Sequence, residues 1–185
     1  MSLEHAILGF LNYRPLSGYD LKKIFDTSVQ HFWTADQSQI YRTLSRLVDR
    51  GWAVMEVVEQ SDRPDRKVYH ITKAGQEELH QWLLAPIYMP ASRSAPLIQV
   101  FFAGQLRDEE ILAIFERVAE QVRAGLRQLE QIPNQMEAYA EYMNSPREFF
   151  CWMLTLDLGI KSTQANLDWL EEIIQRIKNG EIPKV

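Results

Sequence analysis

The residues best suited to chemistry in this chain are Arg42, Arg46 and Arg50, with Ser38, Gln39 and Tyr41 beside them. The arginines recur every four positions, so on a helix they share one side. Ile40, Leu44, Leu47 and Val48 fall at helical spacing on another side. Gly51 follows, where a helix needs a left-handed residue to stop. Guanidinium, amide and hydroxyl groups on one face, opposite a buried aliphatic face, are what reading a DNA major groove requires. The bland reading of such a stripe is a solvated helix face, so the neighbouring segments must decide.

Other chemistries find little support. His5, His31, His70 and His80 are scattered, with no pair at the one-turn spacing of a metal-binding helix. The single cysteine, Cys151, has no electropositive neighbour to activate it and sits in an apolar stretch, so it is expected in the core. The few glycines form no phosphate-cradling loop. The pairs Glu109-Glu110 and Glu171-Glu172 read as solvated helix faces. Neither catalysis nor a cofactor or metal is expected.

The elements around the arginine stripe favour DNA. Leu3 to Leu11 is largely apolar and predicts a mostly buried first helix. Ser17-Gly-Tyr-Asp20 has capping-box spacing, with Asp in place of Glu or Gln, and opens a second helix burying Leu21, Ile24 and Phe25. Thr34-Ala-Asp-Gln37 has the same spacing and is expected to start the arginine helix. Trp52 to Glu59 and Lys67 to Thr72 are rich in β-formers, separated by the polar, proline-bearing segment 60–66. They predict a two-stranded hairpin with Arg63, Arg66 and Lys67 at or near its tip. Thr72 is a suitable N-cap for a fourth helix. Helix, helix, helix, strand, strand, helix within about 80 residues is a winged helix-turn-helix of ordinary domain size.

The runs Ile7-Leu-Gly-Phe-Leu11, Ser17-Gly-Tyr-Asp-Leu21, Ser38-Gln-Ile-Tyr-Arg-Thr-Leu-Ser-Arg-Leu47 and Arg66-Lys-Val-Tyr-His-Ile-Thr-Lys-Ala-Gly75 together resemble the PadR family of bacterial transcription regulators. The resemblance covers residues 3 to 84 in the right order. Trp52, where an aliphatic is more usual, and His70, where an aromatic is common, depart from the pattern. The resemblance implies a regulator of double-stranded DNA, more often a repressor, and in some members release from DNA by a small aromatic effector. With spacing, it assigns Arg42 to guanine and Gln39 to adenine, with Ser38 and Tyr41 beside them near base edges. Arg46, Lys22 and Lys23 are assigned to phosphates, and Arg63, Arg66 and Lys67 to backbone or minor groove.

The second half has its own signature. Pro86, Pro90 and Pro96 exclude a regular helix across 86–96. Leu97 to Gly104 resumes as a short helix, and Asp108 opens a long one whose apolar stripe is Ile111, Phe115, Val118, Val122, Leu126 and Leu129, ended by Pro133. A weaker helix is expected over 136–142. Phe149, Met153, Leu156, Ile160, Thr163, Leu167, Leu170, Ile174 and Ile177 then alternate spacings of four and three, the period of long helix-on-helix packing. The apolar members of this seam are assigned to a two-fold dimer interface. Phe150, Leu154, Leu158, Trp169 and Ile173 form a second apolar stripe, so one face is expected to meet the protein's own helix and the other a second subunit. Trp152 and Trp169 are the first choices for an effector site, although aromatics at helical spacing are mostly core.

The chain is therefore expected to be mostly α. A winged helix-turn-helix domain (three helices, a two-stranded wing and a fourth helix) would span 1–85. A linker over 86–96 and a helical dimerisation domain over 97–185 would follow. The net charge of −5 opposes DNA binding mildly. Residues 1–85 carry 10 Lys and Arg against 11 Asp and Glu, so most of the acidity lies in the tail. Phosphate binding depends on local cation placement rather than on total charge. With 46% hydrophobic residues, no run near the length of a membrane span and no basic-then-apolar leader, a compact cytoplasmic protein is expected. The rival is a winged helix that binds protein, for which in-line arginines and a basic wing would have no use.

Overall fold

The computed structural model describes residues 2–59, 65–87, 94–135 and 145–183. The chain divides into two units, Met1–Tyr88 and Met89–Val185. The wing-tip residue Arg63 and the short helix expected over 136–142 lie outside the described residues.

In the first unit the order is α1 (Ser2–Tyr13), β1 (Leu16–Ser17), α2 (Gly18–Ser28), α3 (Gln37–Asp49), β2 (Ala53–Val58), β3 (Arg66–Ile71) and α4 (Lys73–Leu84). The aliphatic faces read from the sequence meet in one core. Ile7, Leu8, Leu21, Ile40, Leu44 and Leu47 are completely buried there and Phe25 nearly so. Each such side chain contributes roughly 1.5–3 kcal/mol relative to exposure. The sheet has three antiparallel strands in the order β1-β3-β2, where a two-stranded wing was expected. The extra pair, Leu16 with Tyr69 and Ser17 with Val68, joins the lead into α2 to the wing. Two residues carry no readable period, so only the tertiary approach reveals them. Beyond Ala53, β2 is exposed throughout, and His70 meets Glu56 across the hairpin at 2.8 Å.

The helix ends follow local chemistry. Ser17 and Asp20 form both halves of their capping box. At α3 the cap is Asp36, paired with Gln39, and not Thr34. The shift arises because Asp36 has the extended backbone of a cap and accepts the amide three residues on. At the other end Gly51 takes φ 71°, its amide bonding Val48 O at 2.9 Å and that of Trp52 bonding Leu47 O at 2.9 Å, a Schellman closure. Thr72 caps α4 by accepting the Gly75 amide, while its own hydroxyl donates to Gly51 O at 2.7 Å. This docks α4 so tightly that a Cβ on Gly75 would stand 2.2 Å from Trp52 O.

The second unit holds α5 (Ala95–Phe102), a 3-10 turn (Ala103–Gln105), α6 (Asp108–Gln135) and α7 (Pro146–Lys178). Here α6 runs past Pro133 to Gln135, so proline does not end it where expected. At 33 residues α7 is about 50 Å long. The two long helices are antiparallel, with Glu116 facing Lys178 and Arg123 facing Glu171. Their contact buries Ile111, Phe115, Ala119 and Leu126 against Leu167, Leu170 and Ile174, with Ile160 and Ile177 packed alongside.

That packing corrects the seam. Leu167, Leu170 and Ile174, expected at a subunit interface, belong to the protomer's own core, and Leu156 is buried as well. A side chain already removed from water adds no further apolar area to a partner. Phe149 and the stripe Phe150, Leu154, Leu158 and Trp169 are the large apolar residues that α7 leaves exposed. Cys151, expected in the core, is exposed. It lies three and seven residues before Leu154 and Leu158, on their side of the helix rather than on the side facing α6. No helix among the described residues is long and apolar enough to cross a membrane.

Candidate nucleic-acid interface

The two faces of α3 are separated as the spacing predicts. Ile40, Leu44 and Leu47 are buried, with Thr43 between them, while Ser38, Gln39, Tyr41, Arg42, Arg46 and Arg50 are exposed. Leu3, Trp33 and Thr34 join Gln39, Arg42 and Arg46 around an open cleft of about 570 Å³. Trp33 and Thr34 were not anticipated as surface partners of this helix, although their place just before the cap was the available signal.

The cations differ in availability. Arg42 Nε donates to Ser38 O at 3.3 Å, within its own helix, and pairs with no carboxylate among the described residues. Lys23 and Lys67 are likewise exposed without an ion-pair partner among those residues. Lys22 pairs with Asp26 one turn on, and Arg66 with Asp20. Arg46 donates to Thr43 Oγ1 at 3.0 Å and stands 3.6 Å from Glu4. Arg50 bonds the same Glu4 at 3.0 Å and lies over the Trp52 ring at 5.0 Å. The arginine stripe is thus graded: Arg42 is open, Arg46 shared and Arg50 anchored.

Two other assigned contacts are constrained. Gln39 Oε1 accepts the Asp36 amide at 3.0 Å, and Asp36 Oδ1 accepts the Gln39 amide at 2.7 Å. Bidentate reading of adenine needs both ends of the carboxamide, so Gln39 must share its oxygen with the box or release it. The Gln39 amide, opposed by slight burial and aided by Ser38 and Arg42, holds the Asp36 carboxyl below its ordinary range. Tyr41 is only partly exposed, because its ring lies over the first residue of α2: a Cβ on Gly18 would be 2.6 Å from it. Tyr69 is pushed up by burial and then by the neighbouring Tyr41, so it stays a neutral phenol. Tyr41 therefore packs at the α2–α3 corner as well as reaching the surface.

The wing adds Lys67 and the base of Arg66, and Tyr19 at the start of α2 is well exposed. Together α2, α3 and the hairpin present guanidinium, ammonium, amide and hydroxyl donors from one small domain. That combination can hold phosphates and read base edges.

In the second unit an apolar cavity of about 600 Å³ lies among α5, α6 and α7, walled by Leu97, Val100, Phe102, Ile114, Phe115 and Trp169, with Arg117 at its lining. Trp169 lines it and Trp152 does not.

Comparison with known proteins agrees with this geometry. Residues 7–81 match the model of the transcriptional regulator PadR-like family, and residues 92–178 that of the virulence activator alpha C-terminal domain. The negative transcriptional regulator PadR of Bacillus subtilis is 30% identical over 176 residues, covering 95% of this chain and 97% of that one. Its crystal structure with operator DNA superposes with a TM-score of 0.81 at 29% identity, over 96% of this chain and 99% of that one. The structure with p-coumaric acid gives 0.77 at 31% identity, over 95% of each chain. The Vibrio cholerae virulence activator AphA gives 0.73 at 25% identity, over 96% and 98%. On the match of both halves and the near full-length identity, this chain belongs to the PadR-like family of transcriptional regulators.

Proposed function

We propose that this regulator binds double-stranded operator DNA as a homodimer, with α3 in the major groove and the wing against the backbone, and represses transcription. The observation that carries the reading is the open cationic face of α3. Arg42 forms no ion pair among the described residues and stands beside Ser38 and Gln39, while the opposite face locks the helix into the core. Arg42 is the base-reading residue, and Ser38 and Tyr41 lie beside it. Arg46, Lys22, Lys23, Arg66 and Lys67 supply phosphate contacts, the paired ones by exchanging their carboxylates. Repression is supported by the negative regulator among the relatives, whereas AphA carries the opposite sign. A reporter fused to the bound promoter decides between them.

The homodimer rests on surface chemistry. Phe149, Phe150, Leu154 and Leu158 leave an apolar face on α7 that the protomer does not cover. Large contiguous apolar surface of this kind marks an interface. A two-fold dimer engages half-sites about 34 Å apart, so the operator is pseudo-palindromic. Cytoplasmic location is part of the same reading.

A small aromatic acid is the proposed effector. The cavity lined by Phe102, Phe115 and Trp169 offers apolar walls, and Arg117 offers a partner for a carboxylate. The p-coumaric acid complex of the Bacillus relative supports that class. Addition of p-coumaric acid should quench intrinsic fluorescence in the wild type and in Trp152→Phe, but much less in Trp169→Phe. Equal quenching in all three proteins would remove the cavity from consideration.

The test of the main reading is a gel shift with the protein's own upstream promoter across a salt series. Binding should weaken steeply as salt rises, because each phosphate contact contributes a slope of about 0.9. Salt-independent binding, or none, would leave only the protein-binding reading.

A further inference from the structure

Glu4 is an unusual residue for its position. It sits in the first turn of α1 with 3% of its side chain exposed. An apolar side chain of similar size would fill a helix-helix contact without desolvating a charge. Its carboxylate instead meets two guanidiniums of α3, Arg50 Nη1 at 3.0 Å and Arg46 Nη1 at 3.6 Å. The two arginines are not equivalent. Arg50 has the shorter bond and a second hold on the Trp52 ring. Arg46 is more exposed, and its other arm, Nη2, donates to the fully buried Thr43. Thr43 and Glu4 therefore form a fork around the Arg46 guanidinium, in which Nη2 donates a hydrogen bond to Thr43 and the Glu4 carboxylate attracts Nη1 at ion-pair distance. The rest of the side chain is exposed, so its remaining N–H groups are open to an oxygen from outside.

We infer that Glu4 is a positioning residue that sets the specificity of DNA binding through Arg46. The inference rests on α3 being the DNA-reading helix. A guanidinium fixed by the fork suits a phosphate at the register imposed by correct base contacts. It follows phosphates met at other registers less readily than a free side chain would. Random-sequence binding consists almost wholly of phosphate contacts, so it loses more from this restraint than operator binding does. Glu4 also cancels one of two neighbouring positive charges at the groove-facing helix, which lowers sequence-independent attraction further. The ratio of operator to random affinity is the quantity that Glu4 raises.

The test compares wild type, Glu4→Gln, Arg46→Lys and Arg46→Ala by fluorescence anisotropy. The specific duplex is one selected by the wild-type protein from a random library, and the non-specific duplex is its scrambled counterpart. Glu4→Gln keeps size and hydrogen bonding while releasing the charge. It should tighten scrambled-duplex binding by roughly threefold to tenfold and steepen the salt slope by about 0.9 per protomer, with a smaller change on the selected duplex. Arg46→Lys, which loses the planar fork at an exposed position, should lower the ratio in the same direction. In an Arg46→Ala background the Glu4→Gln effect on the ratio should shrink clearly, leaving only the charge released at Arg50. An unchanged or higher ratio in Glu4→Gln, or an effect of equal size without Arg46, overturns the inference. If Arg42→Ala weakens the selected duplex while Glu4→Gln leaves the ratio alone, only the role of Glu4 falls. If the library yields no selected duplex, the DNA reading falls and this inference with it.

Discussion

The environments of single side chains rank the residues proposed to contact DNA. Arg42 forms no ion pair among the described residues, so Arg42→Ala should cost about 1–3 kcal/mol of operator binding, roughly fivefold to 150-fold, and relax base preference at one position. Footprinting with a titration of the variant checks both. Asp20 gives a pH signature. Burial raises its carboxyl, but the Ser17 hydroxyl and amide, with the Arg66 guanidinium, outweigh burial and leave it lowered. A carboxylate depressed on folding stabilises the native state above its unfolded value, near pH 4, and that contribution disappears as pH falls through the folded value. Urea midpoints measured down the acid limb should therefore decline less steeply in Asp20→Asn than in the wild type. The sequence showed which residues were cationic. It did not show which were already engaged, because Glu4 and Arg50 are 46 positions apart and meet only through packing of α1 on α3.

Elements were legible wherever local chemistry alone sets them. The period of α3, the Gly51 stop, the Ser17-Asp20 box and the Thr72 cap all depend on neighbours within a few residues. Misreadings arose where a choice between near-equivalent local options was settled elsewhere. Asp36 and Thr34 both suited the start of α3, and the extended backbone at 36 chose. Pro133 reads as a stop from sequence, yet it lies within the last turn of α6. The junction of α4 with the α3–β2 turn supplies a direct test. A methyl on Gly75 would collide with the backbone oxygen of Trp52, which cannot swing aside as a side chain can. Gly75→Ala should destabilise the first unit by about 1–3 kcal/mol in chemical denaturation. Gly125, within α6, has open space around it. Gly125→Ala should be neutral or slightly stabilising in the same assay, through helix propensity.

At the scale of the molecule the question is which face of α7 meets which partner. Leu167 is buried against α6, so Leu167→Ala should lower protomer stability by about 2–5 kcal/mol. Leu158 is exposed on the other stripe. Leu158→Lys should keep the helical circular dichroism but shift the protein to monomer in sedimentation velocity, and should weaken operator binding with it. Retention of the dimer would refute this face. By itself, the sequence determined the helix periods, the caps, the basic stripe and the family resemblance, because these are written in residue type and spacing along a few turns. Only the tertiary structure decided which heptad face became core, where Cys151 lies, and that a buried carboxylate grips two of the three arginines. Those outcomes depend on which surfaces distant segments bring together, and a linear pattern with two apolar stripes fits either choice.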